Sequence, residues 1–173
     1  MKKIAGILAL SALALAAAPA AADKPELPEA VQKLHRLAGT WKVKGKMKMG
    51  ADAADVTGTW ICVGIAGGNG IRCGLNMKGI PGLPLYQETD LMGYDPGDGL
   101  VHWYSVTNAG ETHDHKGSFD GDDLQVTFTG PKGGQLYTEC ITIKPDGKNR
   151  FRLVAVTFEG HKTGATFDLT ATR

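Results

Sequence analysis

The sequence predicts an all-β fold: an antiparallel up-and-down β-barrel of about ten strands, with one short N-terminal helix capping an end. Three observations predict it. Residues 39–49 alternate, with Trp41, Val43, Met47 and Met49 on one parity and Lys42, Lys44, Lys46 and Lys48 on the other. Successive strand side chains point to opposite faces, so this is a strand with one apolar and one cationic, solvated face. Similar segments follow to the end of the chain, at 55–64, 69–78, 85–94, 99–106, 111–119, 122–129, 135–143, 149–159 and 163–172. The breaks between them carry Gly, Asn, Asp or Pro and are mostly too short for anything but hairpins, which favours a meander. Ten strands with one apolar face each must close or stack, and an even count lets the last strand run antiparallel to the first.

The elements before the barrel have their own signals. Lys2 and Lys3, the apolar run Ile4–Leu15 and the small residues Ala20–Ala22 form the pattern of a secretory signal over 1–22. The run is shorter than the ~20 residues of a spanning helix, and Pro19 follows it. The expectation is a periplasmic or secreted bacterial protein with no membrane insertion after signal removal. Residues 23–38 read as a tether and a short helix. Pro28 stands at a helix start, Val31, Leu34 and Leu37 are near helical spacing, and Gly39 ends it. Residues 39–173 form the barrel domain.

Charge narrows the partners. The chain has 19 Lys+Arg and 18 Asp+Glu; without Lys2 and Lys3 the balance is 17 against 18, a net −1. That gives no electrostatic case for nucleic acid or an anionic membrane surface. The cysteines number three. If Gly67–Gly68 is a two-residue turn, Cys62 faces Cys73. Facing Cα atoms of antiparallel strands lie about 4.5–5.5 Å apart, within disulfide range. A shift of that turn by one residue would misalign the pair. Cys140 then stands alone, read as an inert core thiol.

Two further turns assign faces. A three-residue loop at 108–110 sets Ser105 opposite His113 and Trp103 opposite His115. A two-residue turn at Asp120–Gly121 sets Val126 opposite His115 and Phe128 opposite His113. Trp103, His113, His115, Val126 and Phe128 then share one mostly apolar face, the interior. His102, Tyr104, Asp114 and Lys116 share the outside. Two histidines and Ser105 therefore stand in an apolar wall. The plainest account is a pair of neutral, hydrogen-bonded imidazoles. The functional account is a polar spot in a ligand cavity. Two imidazoles half-fill a tetrahedral metal site, with Glu88 or Asp90 as the unplaced third ligand. The loop 78–85 carries Ile80, Leu83 and Leu85 among prolines and glycines, as a lid over an open barrel end or a cap on its core.

The Gly39-x-Trp41 opening resembles the calycin signature shared by lipocalins and fatty-acid-binding proteins. The chain is also similar, over 37–173, to an uncharacterised bacterial secreted family of lipocalin-like barrels. That family shares the same opening, a Gly93-Tyr94-Asp95 and a Gly117-x-Phe119-Asp120-Gly121. The resemblance implies an up-and-down barrel around an apolar pocket, with Trp41 plugging the closed end and a late arginine packed across it. Antiparallel closure selects Arg173, with Arg152 in reserve. The resemblance carries no activity. Some calycins bind haem through a late-strand histidine, but the late histidine here is His161, beside a turn, so that pattern is not matched.

Three function classes follow. The first is a binding protein for a small apolar or amphipathic molecule, with Trp41, Met47, Met49, Trp103, Ser105, His113, His115 and Phe128 as pocket candidates and no cofactor called for. The second is haem or metal binding through His113 and His115. The third is a small hydrolase- or isomerase-like enzyme with His113 as acid or base. No Gly-x-Ser-x-Gly, His-Glu-x-x-His or spaced carboxylate pair supports the last, and no group to orient His113 is visible.

Overall fold

Alternation along the first strand decides the architecture. Strand β1 (Gly39–Met49) buries Trp41, Val43 and Met47 and exposes all four of its lysines. The computed structural model describes residues 26–173, so the signal reading of 1–22 lies outside the described residues. The other strands are β2 (Asp52–Ile65), β3 (Gly70–Lys78), β4 (Tyr86–Asp95), β5 (Leu100–Thr107), β6 (Thr112–Asp120), β7 (Asp123–Lys132), β8 (Gln135–Pro145), β9 (Arg150–Glu159) and β10 (Lys162–Thr172). Each pairs antiparallel with its sequence neighbours, and β1 also pairs with β10, from Lys42↔Thr172 to Met49↔Ala165. The sheet is a closed ten-stranded barrel.

The helix α1 (Glu29–Leu34) starts after Pro28 and runs on as a 3₁₀ turn over His35–Leu37. Its apolar side buries Val31, Leu34 and Leu37. Its polar side reaches the turns of two hairpins: Lys33 Nζ donates to the Gly121 carbonyl, Arg36 pairs with Asp122 at 2.7 Å, and a His35 ring nitrogen lies 2.8 Å from the Gly68 oxygen. The helix therefore lies over the β2–β3 and β6–β7 end of the barrel and closes it.

Trp41 plugs that end from inside. It is 0% exposed, and its indole N–H donates to the Leu37 carbonyl at 2.8 Å. The Phe151 ring meets it edge-on at 4.4 Å between centroids, and the Arg173 guanidinium lies over it at 4.0 Å. The Arg173 guanidinium also donates to the carbonyls of Arg36 and Ala38, tying the chain end to the helix end. Gly39 is explained by the same contact. A β-carbon there would sit 3.0 Å from the guanidinium, and its φ of 140° suits no other residue well. Arg152, the reserve, instead forms an exposed two-bond pair with Asp168 on the outer wall.

Two turns differ from expectation. The β2–β3 connection is a four-residue turn through the 3₁₀ segment Ala66–Gly68, closed by the Asn69 N–H on the Ala66 carbonyl. It has the same centre as the expected two-residue turn, so Cys62 still faces Cys73 and the two form a disulfide. The β6–β7 turn is Gly121–Asp122, between the paired Asp120 and Asp123, and not Asp120–Gly121. Glycine in the first turn position at φ 59° is the second legal solution for a two-residue hairpin. The register moves by two residues: Gly117, not His115, opposes Val126. An even shift preserves parity, so every side chain keeps its face. Cys140 is a correction of another kind. It lies on the outer parity of β8, half-buried, with the Thr127 hydroxyl donating to its sulfur at 3.8 Å.

Because Trp41 fills the closed end and Arg173 covers it, their removal should be unequal. Trp41→Ala is expected to lower unfolding free energy by about 3–5 kcal/mol, the range for emptying a buried aromatic site. Arg173→Ala should cost about 0.5–2 kcal/mol, the range of a cation–π contact. Urea titrations followed by far-UV circular dichroism measure both. If both variants unfold at the wild-type midpoint, the plug contributes nothing to stability.

Candidate functional site

Inside the barrel, above the plug, lies a cavity of about 360 Å³. Its deeper wall is apolar, with Val43, Met47, Met77, Ile141, Ile143 and Leu169 contributing. It opens at the end opposite the helix, where Met49, Ala109, Lys132 and Gly164 stand at the rim. Met49 is accordingly 48% exposed. The 79–85 connection crosses this mouth. Ile80 and Leu83 line the cavity, and the Leu83 N–H donates to the Ile80 carbonyl at 3.1 Å. The Asn108 side chain holds the far end of the connection, donating to the Leu85 carbonyl and accepting from the Gln87 N–H, both at 2.9 Å. Leu85 itself does not line the cavity.

Of the residues expected to line a pocket, Met47, Met49, Trp103, Ser105, His113 and His115 do so. Trp41 does not, because it is consumed as the plug beneath the floor. Phe128 does not either. Strands β6 and β7 pair only from Lys116↔Thr127 to Asp120↔Asp123. Beyond that ladder Phe128 lies flat against His113, ring centroids 4.2 Å apart, and backs it instead of reaching the cavity.

Two polar clusters stand on the cavity wall. The first is on β4. Asp90 is fully buried, in a register row that runs Cys62, Cys73, Asp90, Ser105, His113 across five strands. Its carboxyl accepts the indole N–H of Trp103 at 2.8 Å and of Trp60 at 3.4 Å. Glu88, two residues earlier on the same face, accepts the Tyr86 hydroxyl at 3.0 Å and donates to Asp90. Burial raises the Glu88 carboxyl well above its ordinary range, and the Asp90 charge and hydrogen bond raise it further. Burial raises Asp90 too, but its indole donors and the Glu88 proton oppose that rise. The pair thus keeps a proton on Glu88 and the stabilised negative end on Asp90.

The second cluster is on β6 and β8. Glu139 Oε2 lies 3.1 Å from His113 Nδ1 and 3.1 Å from His115 Nε2. Burial alone would raise the Glu139 carboxyl; hydrogen bonds from the two imidazoles and their charges outweigh it and hold it at about 2. The other nitrogen of His115, Nδ1, faces the Trp103 carbonyl at 3.3 Å. These three side chains bring a possible metal-ligand set within 4.8 Å of one another. The third member expected beside the histidines was Glu88 or Asp90; it is Glu139. Burial pushes the neighbouring Tyr137 hydroxyl upward, so it remains a neutral donor. Ser105 faces His113 across the β5–β6 ladder, yet no hydrogen bond joins the two among the described residues, so no activated serine is assembled.

Glu139, Trp60 and the role of Glu88 and Asp90 were missed. The signal was present. On β8, Glu139 shares parity with Tyr137, Ile141 and Ile143, and on β4, Glu88 and Asp90 share it with Met92. A carboxylate on the apolar parity of a strand is the same anomaly that singled out His113 and His115.

A scan against protein-family models finds no match, and a search of curated proteins finds none either. Solved structures do match. The S-type phycobiliprotein lyase CpeS from Guillardia theta superposes with a TM-score of 0.57 at 10% identity, over 82% of this chain and 90% of that one. Rv2717c from M. tuberculosis superposes with a TM-score of 0.63 at 15% identity, over 86% of this chain and 99% of that one. At these identities the likeness is one of fold: a lipocalin-like barrel.

The Glu88 proton gives a pH test. The unfolded chain loses this proton near pH 4.5, while the folded chain keeps it well above that. Between those two values the native state binds more protons than the unfolded state, so stability falls as pH rises, by up to about 1.4 kcal/mol per pH unit. Glu88→Gln keeps the neutral shape at every pH and should flatten this fall. Thermal melts from pH 4.5 to 8 should show the variant gaining on wild type as pH rises; parallel curves would place the proton elsewhere.

Proposed function

We propose that this protein holds a small amphipathic molecule in the barrel cavity. The apolar part lies against Met47, Met77 and Ile141, and a polar group meets His113, His115 and Glu139. The observation that carries this reading is the coexistence of an apolar cavity of about 360 Å³ with buried and half-buried polar and ionisable side chains that line it. A barrel filled for stability alone has no need of them, since a buried charge costs free energy unless it is paired and is rarely better than a hydrophobic replacement. Ligand cavities have this composition, mainly apolar with a few convergent polar groups. The volume lies at the small end for such sites, which suits a compact ligand.

The place of action we propose is the periplasm or the outside of the cell. The signal pattern of residues 1–22 supports it, and so does the Cys62–Cys73 disulfide, since such bonds persist in oxidising compartments.

The test is native mass spectrometry of the protein secreted by its own source, with the His113→Ala/His115→Ala double variant alongside. Wild type should retain a small organic molecule, and the variant should lose about tenfold or more in affinity for it, one charged hydrogen bond's worth. Equal retention by the two proteins would remove the histidines from the site, and an empty wild type whose Trp60 and Trp103 emission no apolar probe alters would end the proposal.

A further inference from the structure

The polar cluster on β6 and β8 has an arrangement that ligand binding alone does not explain. Trp103 offers His115 a backbone carbonyl, which only accepts. His115 Nδ1 therefore carries a hydrogen, and in the neutral ring Nε2 is a lone pair. That lone pair points at a Glu139 carboxylate oxygen 3.1 Å away, which is also an acceptor. Two acceptors held face to face require a cation between them: a proton, which makes His115 an imidazolium that donates to Glu139, or a metal ion. The same Glu139 oxygen lies 3.1 Å from His113 Nδ1, so the demand is made at one point by three side chains.

We propose that this point is a binding site for a divalent first-row transition ion, with His113 Nδ1, His115 Nε2 and Glu139 Oε2 as ligands. Donors bound at about 2.0–2.2 Å to one ion lie roughly 3.0–3.4 Å from each other. The two N···O edges already have that length. The third edge is within 4.8 Å. The carbonyl behind His115 is the outer partner that ligating histidines usually have, fixing both tautomer and ring plane. Phe128 stacked on His113 holds the second ring. Two imidazoles and one carboxylate suit zinc or ferrous iron and leave coordination positions vacant. All three side chains line the cavity, so those positions face it. A molecule in the cavity would meet the ion with an anionic or lone-pair oxygen. The site shares the cavity with the proposed function and stands without it, because the ligands are all protein atoms.

Chelator-treated full-length protein titrated with Co²⁺, and then with Zn²⁺ in competition, tests the assignment. Wild type should bind one equivalent of Co²⁺ with a visible ligand-field spectrum, and Zn²⁺ should displace it. Glu139→Gln, nearly isosteric, and His115→Ala should each weaken binding by at least about 100-fold, more than loss of an outer partner costs. Histidine ring proton resonances report folding and location together: in wild type those of His113 and His115 should shift on adding Zn²⁺. No saturable binding by wild type would overturn the site and assign the cation between the acceptors to a proton. Binding that survives Glu139→Gln and vanishes in Asp98→Asn would overturn it too, moving the ion to the exposed Asp95, Asp98 and His102 group. Apolar-probe binding by the metal-free protein separates the two proposals, since it reports on the cavity with the ion absent.

Discussion

Closure of the sheet on itself is the constraint from which the rest of the molecule follows. Once β1 meets β10, every strand has a partner on both sides and most inward side chains have left bulk water. The inner wall must then be apolar or must satisfy its polar groups internally. Its apolar members form one cluster from Leu34 through Trp41, Met77 and Trp103 to Leu169 and Ala171. Its charged and imidazole members occur in two bonded groups, and no fully buried side-chain nitrogen or oxygen among the described residues lacks a partner.

The two ends of the barrel solve different problems. At one end, the helix, Trp41 and Arg173 lock together through an indole–carbonyl bond, a cation–π contact and guanidinium–carbonyl bonds. These contacts join the first and last residues of the barrel, which antiparallel closure places side by side. At the other end the 79–85 connection crosses the opening, and Lys132 pairs with Glu111 at the rim at 2.7 Å. The chain ends are thus tied together at the closed end, and access lies at the end crossed by the longest connection, 79–85.

The polar groups of the cavity fall into an asymmetric pair. On β4 a carboxyl keeps its proton because it is buried beside another carboxylate. On β8 a carboxylate stays ionised because two imidazoles face it. The same side-chain type is a donor in one place and an acceptor in the other, and the difference lies wholly in the neighbours. The cavity thus has a protonated carboxyl on one side and a carboxylate between two imidazoles on the other.

Much of this was legible in the residues. Strand alternation and turn chemistry fixed the number of strands, their order and the inward parity of Trp103, His113 and His115, because a period of two and a short hairpin leave few alternatives. Even the misplaced Asp120–Gly121 turn did no harm to the faces, since its error was an even number of residues. Gly39, Trp41 and Arg173 could be joined in advance because closure brings the two chain ends together. What the tertiary structure alone decided was partnership across strands distant in sequence. Glu139 lies 24 residues from His115 and reaches the same point only through the curvature of the closed wall. Whether Trp41 and Phe128 lined the cavity or filled space behind it was equally undecidable from parity, which assigns a side chain to the interior and leaves open its depth. Local rules act over neighbouring residues and set direction; the meeting of side chains in the cavity depends on the shape of the whole barrel.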